Sequence, residues 1–495
     1  MREIQLNQAN LSSISSDIGT PVYDRSKLKS GIVHIGIGGF HRSHQAYYIH
    51  QLLQKYNALE WGICGIGLRE ADRKIYEVLK KQDYLYTLVT QHPGGEVNSE
   101  IVGSLTDFVL AVDSPELVIE KMASPDTKIV SLTITEGGYN FNPVNGEFNF
   151  ENIDIQYELK HPNKPRTIYG YLTAALRLRS AKGLPPFTIL SCDNIQHNGD
   201  VASKMLLSFA ERQDKSLANW IRKKVSFPNC MVDRITPVTS KEAIKYLSQK
   251  HSILDAWPVV CEPFIQWVVE DKFSNGRPEL EKLGVQFVED VTPYEKMKIR
   301  LLNAGHSVLG ILGAVHGHLS INACMDDQVF AAFMRKFMDI EVSPILEKVD
   351  GIDLKDYKDI IEERFANPNI KDSVSRICSE SSAKIPKFLI STLGENLKKG
   401  GSIKLTTLVL ATWCYYSDKG LNRKNEPIDI IDLLSTELHQ SARKTSEDTL
   451  AFIRQKEIFG DLIFSENFTE LYKDLVSKIY ETGDVRDIMQ EMLND

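Results

Sequence analysis

Paired cysteines are missing from this chain. Seven cysteines stand in 495 residues, at 64, 192, 230, 261, 324, 378 and 414, an odd number with no CxxC pair. That excludes a disulfide framework and a zinc knuckle and reads as free thiols in a reducing compartment. An excess of positive charge is missing too. Lys and Arg number 58 against 66 Asp and Glu, a net charge of -8, which argues against a nucleic-acid partner or an anionic membrane surface. No stretch approaches the ~18 apolar residues of a membrane span. The run from Met1 to Gln8 lacks the apolar segment of a signal peptide. Internal repeats and low-complexity tracts are absent as well. The 42% of hydrophobic residues suffices for a full core, and the length suggests two or more domains. The expectation is a soluble, cytoplasmic protein whose partner is a small polar molecule.

The first half alternates strand-like and helix-like segments. Strands are expected at 32–35, 62–66, 84–89, 128–133 and 187–190, with helices at 43–57, 71–81, 115–123 and 168–182. This alternation predicts a doubly wound parallel sheet, an α/β architecture. From about residue 295 the periodicity is helical, with helices expected at 327–340, 354–366, 385–398, 404–417, 428–442, 446–457, 466–481 and 484–493. The expected domains are 1–290 and 291–495, the second all-helical.

Gly36-Ile-Gly38-Gly39-Phe40-His41-Arg42 follows the first strand and opens a helix. Gly36 suits a tight turn, and Gly38 lets the backbone approach a pyrophosphate. The helix beyond offers free N–H groups and the positive end of its dipole. His41 stands where a third glycine is usual. After the second strand come Glu70 and Asp72, and an acid there can accept both ribose hydroxyls of NAD while repelling the 2′-phosphate of NADP. Asp72 is the first choice and Glu70 the second. Arg69 and Arg73 beside them leave room for some NADP tolerance, and Asp72 could instead cap the following helix.

Lys298, Asn303 and His306 lie in Lys298-Ile-Arg-Leu-Leu-Asn-Ala-Gly-His306. On one straight helix, Lys298 aligns with Leu302, Gly305, Leu309 and Leu312 in an otherwise apolar or small stripe. Desolvation of such a lysine favours its neutral form, as a general base requires, although a lysine at a helix start can also snorkel to water. Asn303 and His306 share a face, and His306 lies ~12 Å along the axis from Lys298. Zinc ligands at recognisable spacing are lacking; His316-Gly-His318 reads as a helix end. Together these features read as an oxidoreductase that moves a hydride with a lysine base and no metal.

At these residues the chain resembles the mannitol dehydrogenase family of polyol-specific long-chain dehydrogenases. The resemblance is carried by Gly36–Ala46, Ser131–Tyr139, Ser191–Gly199, Phe227–Pro237, Trp257–Pro263 and Thr292–Lys298 running into Asn303 and His306. It extends over the whole chain and is weakest in the last hundred residues. It implies a Rossmann-like NAD-binding domain with insertions, then a helical domain, with substrate in the cleft between them and a monomeric state. The implied reaction interconverts D-mannitol and D-fructose with NAD. Lys298 is implied as the general base, Asn194 and Asn303 as holders of the alkoxide, His306 as a positioner of a substrate hydroxyl, and Glu295 as a proton relay. Asp233, Arg376 and Lys384 are implied to bind the remaining hydroxyls. The cofactor is expected at Gly36, Gly38, Gly39, Phe40, His41 and Asp72, with Thr135 and Glu136 lining its cleft.

Blander roles stand beside these: a turn for Asn194, an ion pair with Arg234 for Asp233, a solvated face for Arg376 and Lys384, and a loop shaped by Glu136-Gly-Gly138. Fructuronate and tagaturonate reductases and D-arabinitol dehydrogenases resemble the chain too, since Arg376 and Lys384 suit a carboxylate. A non-catalytic NAD(H) sensor would keep the fold without turnover, but the intact Lys298, Asn303 and His306 set speaks against it.

Overall fold

The computed structural model describes residues 3–141, 146–370 and 372–494. It divides into two compact units, Met1–Thr292 and Pro293–Asp495.

The first unit is built on five parallel strands: β1 (Ile32–Ile35), β2 (Ile63–Gly67), β3 (Leu105–Leu110), β4 (Ile129–Leu132) and β5 (Thr188–Ser191). Their order is β3-β2-β1-β4-β5. Both faces are covered, because alternate strand residues enter different cores. Val33, Ile35, Ile66, Val130 and Ile189 pack with helices Pro115–Ala123, Ile168–Ala181 and Asn198–Gln213. Ile32, Ile63, Phe108, Ile129 and Leu190 pack with helix Gln45–Tyr56.

One expected strand belongs elsewhere. The 84–89 segment forms Tyr86–Gln91, which pairs antiparallel with Val97–Val102 and parallel with Val259–Cys261, outside the five-stranded sheet. Beside β2 stands β3, Leu-Thr-Asp-Phe-Val-Leu, a strand that the sequence reading did not expect. A further sheet joins Cys230–Asp233, Gln266–Glu270 and Gln286–Val288.

The second unit is helical, with two corrections to the expected elements. Of 428–442 only Ser435–Arg443 is α-helix. The residues before it are pinned to the chain near Glu380: the Glu380 N–H donates to the Ile431 carbonyl, and Asp432 accepts the Ser382 N–H and hydroxyl. The 446–457 segment breaks into a turn at Phe452–Arg454 and a short helix, Lys456–Phe459.

The helix bearing Lys298 is not a straight α-helix. Thr292–Lys298 is α, Ile299–Asn303 is π, and Ala304–His316 is α again. The π segment packs against two others, Phe337–Val342 and Pro386–Ile390. Among the described residues no helix is long and apolar enough to cross a membrane.

Candidate active site

In the first unit the expected cofactor residues gather at the carboxyl ends of adjacent parallel strands, where doubly wound sheets bind ligands. Gly36 follows β1 with φ +100°, and a Cβ there would stand 2.1 Å from the Thr133 carbonyl oxygen, so only glycine fits. The Gly38 N–H donates to Gly36 O at 2.7 Å, closing the turn. A Cβ at Gly38 would come no nearer than 3.9 Å to the Gly36 carbonyl oxygen, so the space directly above the turn is open. Helix Gly39–Ser43 starts directly behind it, and Phe40 stacks on His44. These residues fit a dinucleotide: a glycine-only turn, open space above it, and a helix N-terminus facing that space.

His41 is enclosed. Its ring is buried and stacks on His34, centroids 3.4 Å apart. His34 reaches Ser131 Oγ at 2.8 Å and Thr133 Oγ1 at 2.9 Å. Burial and the neighbouring His34, Arg42 and His44 hold His41 far below its ordinary pKa, and burial brings His34 down to about 3. The His41 ring, expected at the cofactor, is thus packed on the same His34 whose Nε2 lies 3.2 Å from the Gly36 carbonyl oxygen.

Asp72 lies in the short turn Glu70–Asp72 after β2 and accepts the Arg69 N–H at 2.9 Å. Its capping is therefore of that turn, since its side chain makes no cap to helix Arg73–Lys81. Arg73 is held by Glu70 and by Asp113. At the end of β4, Thr135 takes φ +59°, and it and Glu136 are exposed. Asn194 is exposed just beyond β5, and Asp233 is buried at the end of Cys230–Asp233.

In the second unit Glu295 and Lys298 are buried one turn apart. On a straight helix Lys298 and His306, eight residues apart, would differ by about 80° in direction at ~100° per residue. A π turn holds about one residue more than an α turn, which takes back ~100° and leaves the two within about 20° of each other. The π segment thus corrects the expected stripe: Gly305 leaves the Lys298 line and His306 joins it. The Asn303 Oδ1 is buried and without a hydrogen-bond partner, and the His306 ring stacks on Phe365 at 4.1 Å.

Helix Ala304–His316 also packs on the short helices that carry Arg376 and Lys384. The approach is close: a Cβ at Gly310 would lie 2.8 Å from Ile377 Cγ2. Arg376 is exposed and held by Asp372, with Nε to Oδ1 at 2.7 Å. Lys384 donates to the Ile377 carbonyl at 3.1 Å, and burial, then the Arg376 charge, lower its pKa.

Comparison with known proteins places this arrangement. The mannitol dehydrogenase Rossmann domain matches residues 30–282, and the mannitol dehydrogenase C-terminal domain matches 290–480. The chain belongs to the mannitol dehydrogenase family. Mannitol 2-dehydrogenase of Aspergillus fumigatus is 43% identical over 471 residues, 93% of each chain. Mannitol dehydrogenase 2 of Saccharomyces cerevisiae is 42% identical over 488 residues, 98% of this chain and 97% of that one. Among solved structures, the Pseudomonas fluorescens mannitol 2-dehydrogenase ternary complex with NAD and D-mannitol superposes with a TM-score of 0.88 at 43% identity, covering 99% of this chain and 100% of that one. A D-sorbitol dehydrogenase in substrate-free form gives 0.90 at 35% identity, covering 97% and 99%.

In this mannitol dehydrogenase family member three further residues shape the site. Buried Asp193 accepts the Ile134 N–H at 3.2 Å, the Thr135 N–H at 2.8 Å and the Tyr139 hydroxyl at 2.7 Å, which fixes the Thr135 turn beside Asn194. Asn198 bonds the Asp193 carbonyl and both the N–H and carbonyl of Cys230, stitching the Asn194 turn to the strand that ends in Asp233. Arg42 is fully buried and donates to the carbonyls of Gly38 and Trp257, clamping the glycine turn. Asp193 and Asn198 lie inside the Ser191–Gly199 motif and Arg42 inside the glycine motif. Their signal in the sequence was a polar residue within a motif, with nothing to mark it as buried.

Proposed function

We propose that this protein is an NAD-dependent mannitol 2-dehydrogenase that interconverts D-mannitol and D-fructose, with Lys298 as general acid and base and no metal in the chemistry. The observation that carries the reading is the buried Lys298, followed by a π segment whose extra residue per turn would bring His306 round towards its side. The 43% identity to a mannitol 2-dehydrogenase, over 93% of the chain, supports the substrate.

NAD, when bound, supplies the hydride acceptor. The turn at Gly36, Gly38 and Gly39 and the start of the following helix would hold its pyrophosphate, and Asp72 its ribose. Arg73 is already engaged by Glu70 and Asp113, which leaves it little to offer a 2′-phosphate and supports NAD over NADP. Lys298 takes the proton of the reacting hydroxyl during oxidation, and its ammonium returns that proton during reduction. Glu295, one turn earlier, passes it towards solvent. Asn303 offers its amide to the developing alkoxide, and Asn194 has the same chemistry to give. His306 orients a hydroxyl, and Asp233, Arg376 and Lys384 bind the rest of the chain of hydroxyls.

A hexuronate reductase or a D-arabinitol dehydrogenase would keep this chemistry. The proximity of Lys384 to Arg376 favours a carboxylate, but Asp372 already neutralises Arg376, which favours the uncharged sugar. The deciding experiment follows NADH oxidation at fixed neutral pH with D-fructose, D-xylulose, D-fructuronate and D-tagaturonate, with NADPH and EDTA as controls. EDTA-resistant activity greatest on fructose with NADH is expected. Activity confined to the uronates would assign Arg376 and Lys384 to a carboxylate and overturn the mannitol reading.

A further inference from the structure

We propose that His316, His318 and Asp327 form a binding site for a divalent transition-metal ion of the zinc class, at the opposite end of the helix from Asn303. Their ligand atoms all lie within 4.8 Å of one another. The fold brings them together in a definite way. His316 ends the helix, and the left-handed turn at Gly317 returns the chain so that the His318 N–H donates to the Gly313 carbonyl at 2.9 Å. The two imidazoles then stand 4.9 Å apart. Asp327 arrives from the start of helix Gln328–Lys336, where its Oδ1 caps the Val329 N–H.

The donor atoms are in the state that coordination needs. His318 Nε2 is buried, makes no hydrogen bond, and lies 3.9 Å from Asp327 Oδ2. That is too long for a hydrogen bond, whereas two ligands on a tetrahedral zinc with ~2.1 Å bonds sit about 3.4 Å apart, so a contraction of roughly half an ångström completes the pair. Asp327 Oδ2 receives Arg486 Nε at 2.9 Å, which leaves that oxygen a second lone pair. His316 Nδ1 pairs with Asp484 Oδ1 at 2.8 Å. This outer carboxylate orients the ring and leaves Nε2 to bind, as carboxylates behind zinc-bound histidines do. Water would fill the fourth position.

Charge sets the strength. Arg486 offsets Asp327, and Arg423 lies 3.4 Å from Asp484, so an incoming dication meets little net negative charge. Binding should be weaker than at a structural zinc site of thiolates. An ion there would be ~15 Å along the helix from His306 and takes no part in the hydride transfer. It would tie the helix end, the Gly317 turn, Asp327 and the turn at Asp484 into one cluster. The sequence showed two histidines two apart; Asp327, nine residues further on, is what the fold adds.

The test is zinc chloride titrated into the metal-free full-length protein against a chromogenic chelator, with His318→Ala alongside. His318→Gln, which keeps a polar side chain, guards against a folding defect in the first variant. All seven cysteines are buried, which keeps thiol background low. One zinc per chain in the wild type, weakened at least about tenfold in both variants, is expected from the loss of one of three protein ligands. No binding by the wild type, or equal stoichiometry and affinity in the folded variants, would overturn the site.

Discussion

Lys298 is a buried lysine on a helix that also buries Glu295 and His306. Burial of a lysine disfavours its ammonium form unless neighbours compensate, the condition that suits an acid–base group. Lys298→Ala is therefore expected to lower kcat by at least ~100-fold while the NADH dissociation constant, read by fluorescence titration, changes less than about twofold. Equal losses in both would make Lys298 structural. The histidine pair beside the glycine turn gives a second residue-scale expectation. His34 has a folded pKa of about 3 against ~6.5 unfolded, and His41 is also depressed. A depressed folded pKa gives stability that is present above the unfolded value and lost as pH falls towards the folded one. Each histidine should thus cost ~1.4 kcal/mol per pH unit below about 6.5. Urea midpoints between about pH 7.5 and 5 should fall accordingly, and less steeply in His34→Gln. An identical slope in that variant would assign the acid sensitivity to other groups. The sequence made His41 legible as a departure from a third glycine. Its stacking on His34 was not legible, because nothing local says which way a ring turns.

Elements show where periodicity stops being a guide. The apolar stripe through Leu302, Leu309 and Leu312 reads as one straight helix, and a π segment leaves no mark in such a pattern, since Ile299, Leu301, Ala304 and Val308 put apolar residues on other sides of the helix as well. Packing fixes it instead: Ile299–Asn303 lies against two further π segments. One of these, Phe337–Val342, carries Glu341, which is fully buried. Its carboxylate accepts the Leu405 N–H at 2.7 Å, the Thr406 N–H at 2.9 Å, the Thr406 hydroxyl at 2.5 Å and the Ser402 hydroxyl at 3.1 Å. Helix Lys404–Lys419 has no side-chain cap at Ile403, so this distant carboxylate is its cap and complements the positive end of its dipole. Glu341→Ala leaves two buried N–H groups unmet and should cost about 2–5 kcal/mol, with Glu341→Gln recovering roughly half. Urea denaturation measures this; a change in Glu341→Ala below about 0.5 kcal/mol would mean that water replaces the carboxylate.

At the scale of the whole molecule, the alternation of elements in the first half and the helical periodicity of the second are legible because local pattern carries them. The short strands are not. Val259–Cys261 has three residues and pairs with Tyr86–Gln91, some 170 positions away, so no window of sequence contains both. The scattered cysteines show the same dependence on the fold. Spacing excluded paired motifs, but only the structure shows that all seven are buried free thiols. Burial pushes the Cys64 and Cys378 thiols up to about 12, and reactivity belongs to the thiolate, so neither has a nucleophile to offer at neutral pH. A disulfide-forming aromatic reagent should then modify the native protein only as fast as it opens, and titrate seven thiols once it is denatured. The melting temperature should be the same with and without reductant. A thiol that reacts within seconds in the native state, or a melting point that drops on reduction, would mean that a cysteine reaches solvent or a partner sulfur.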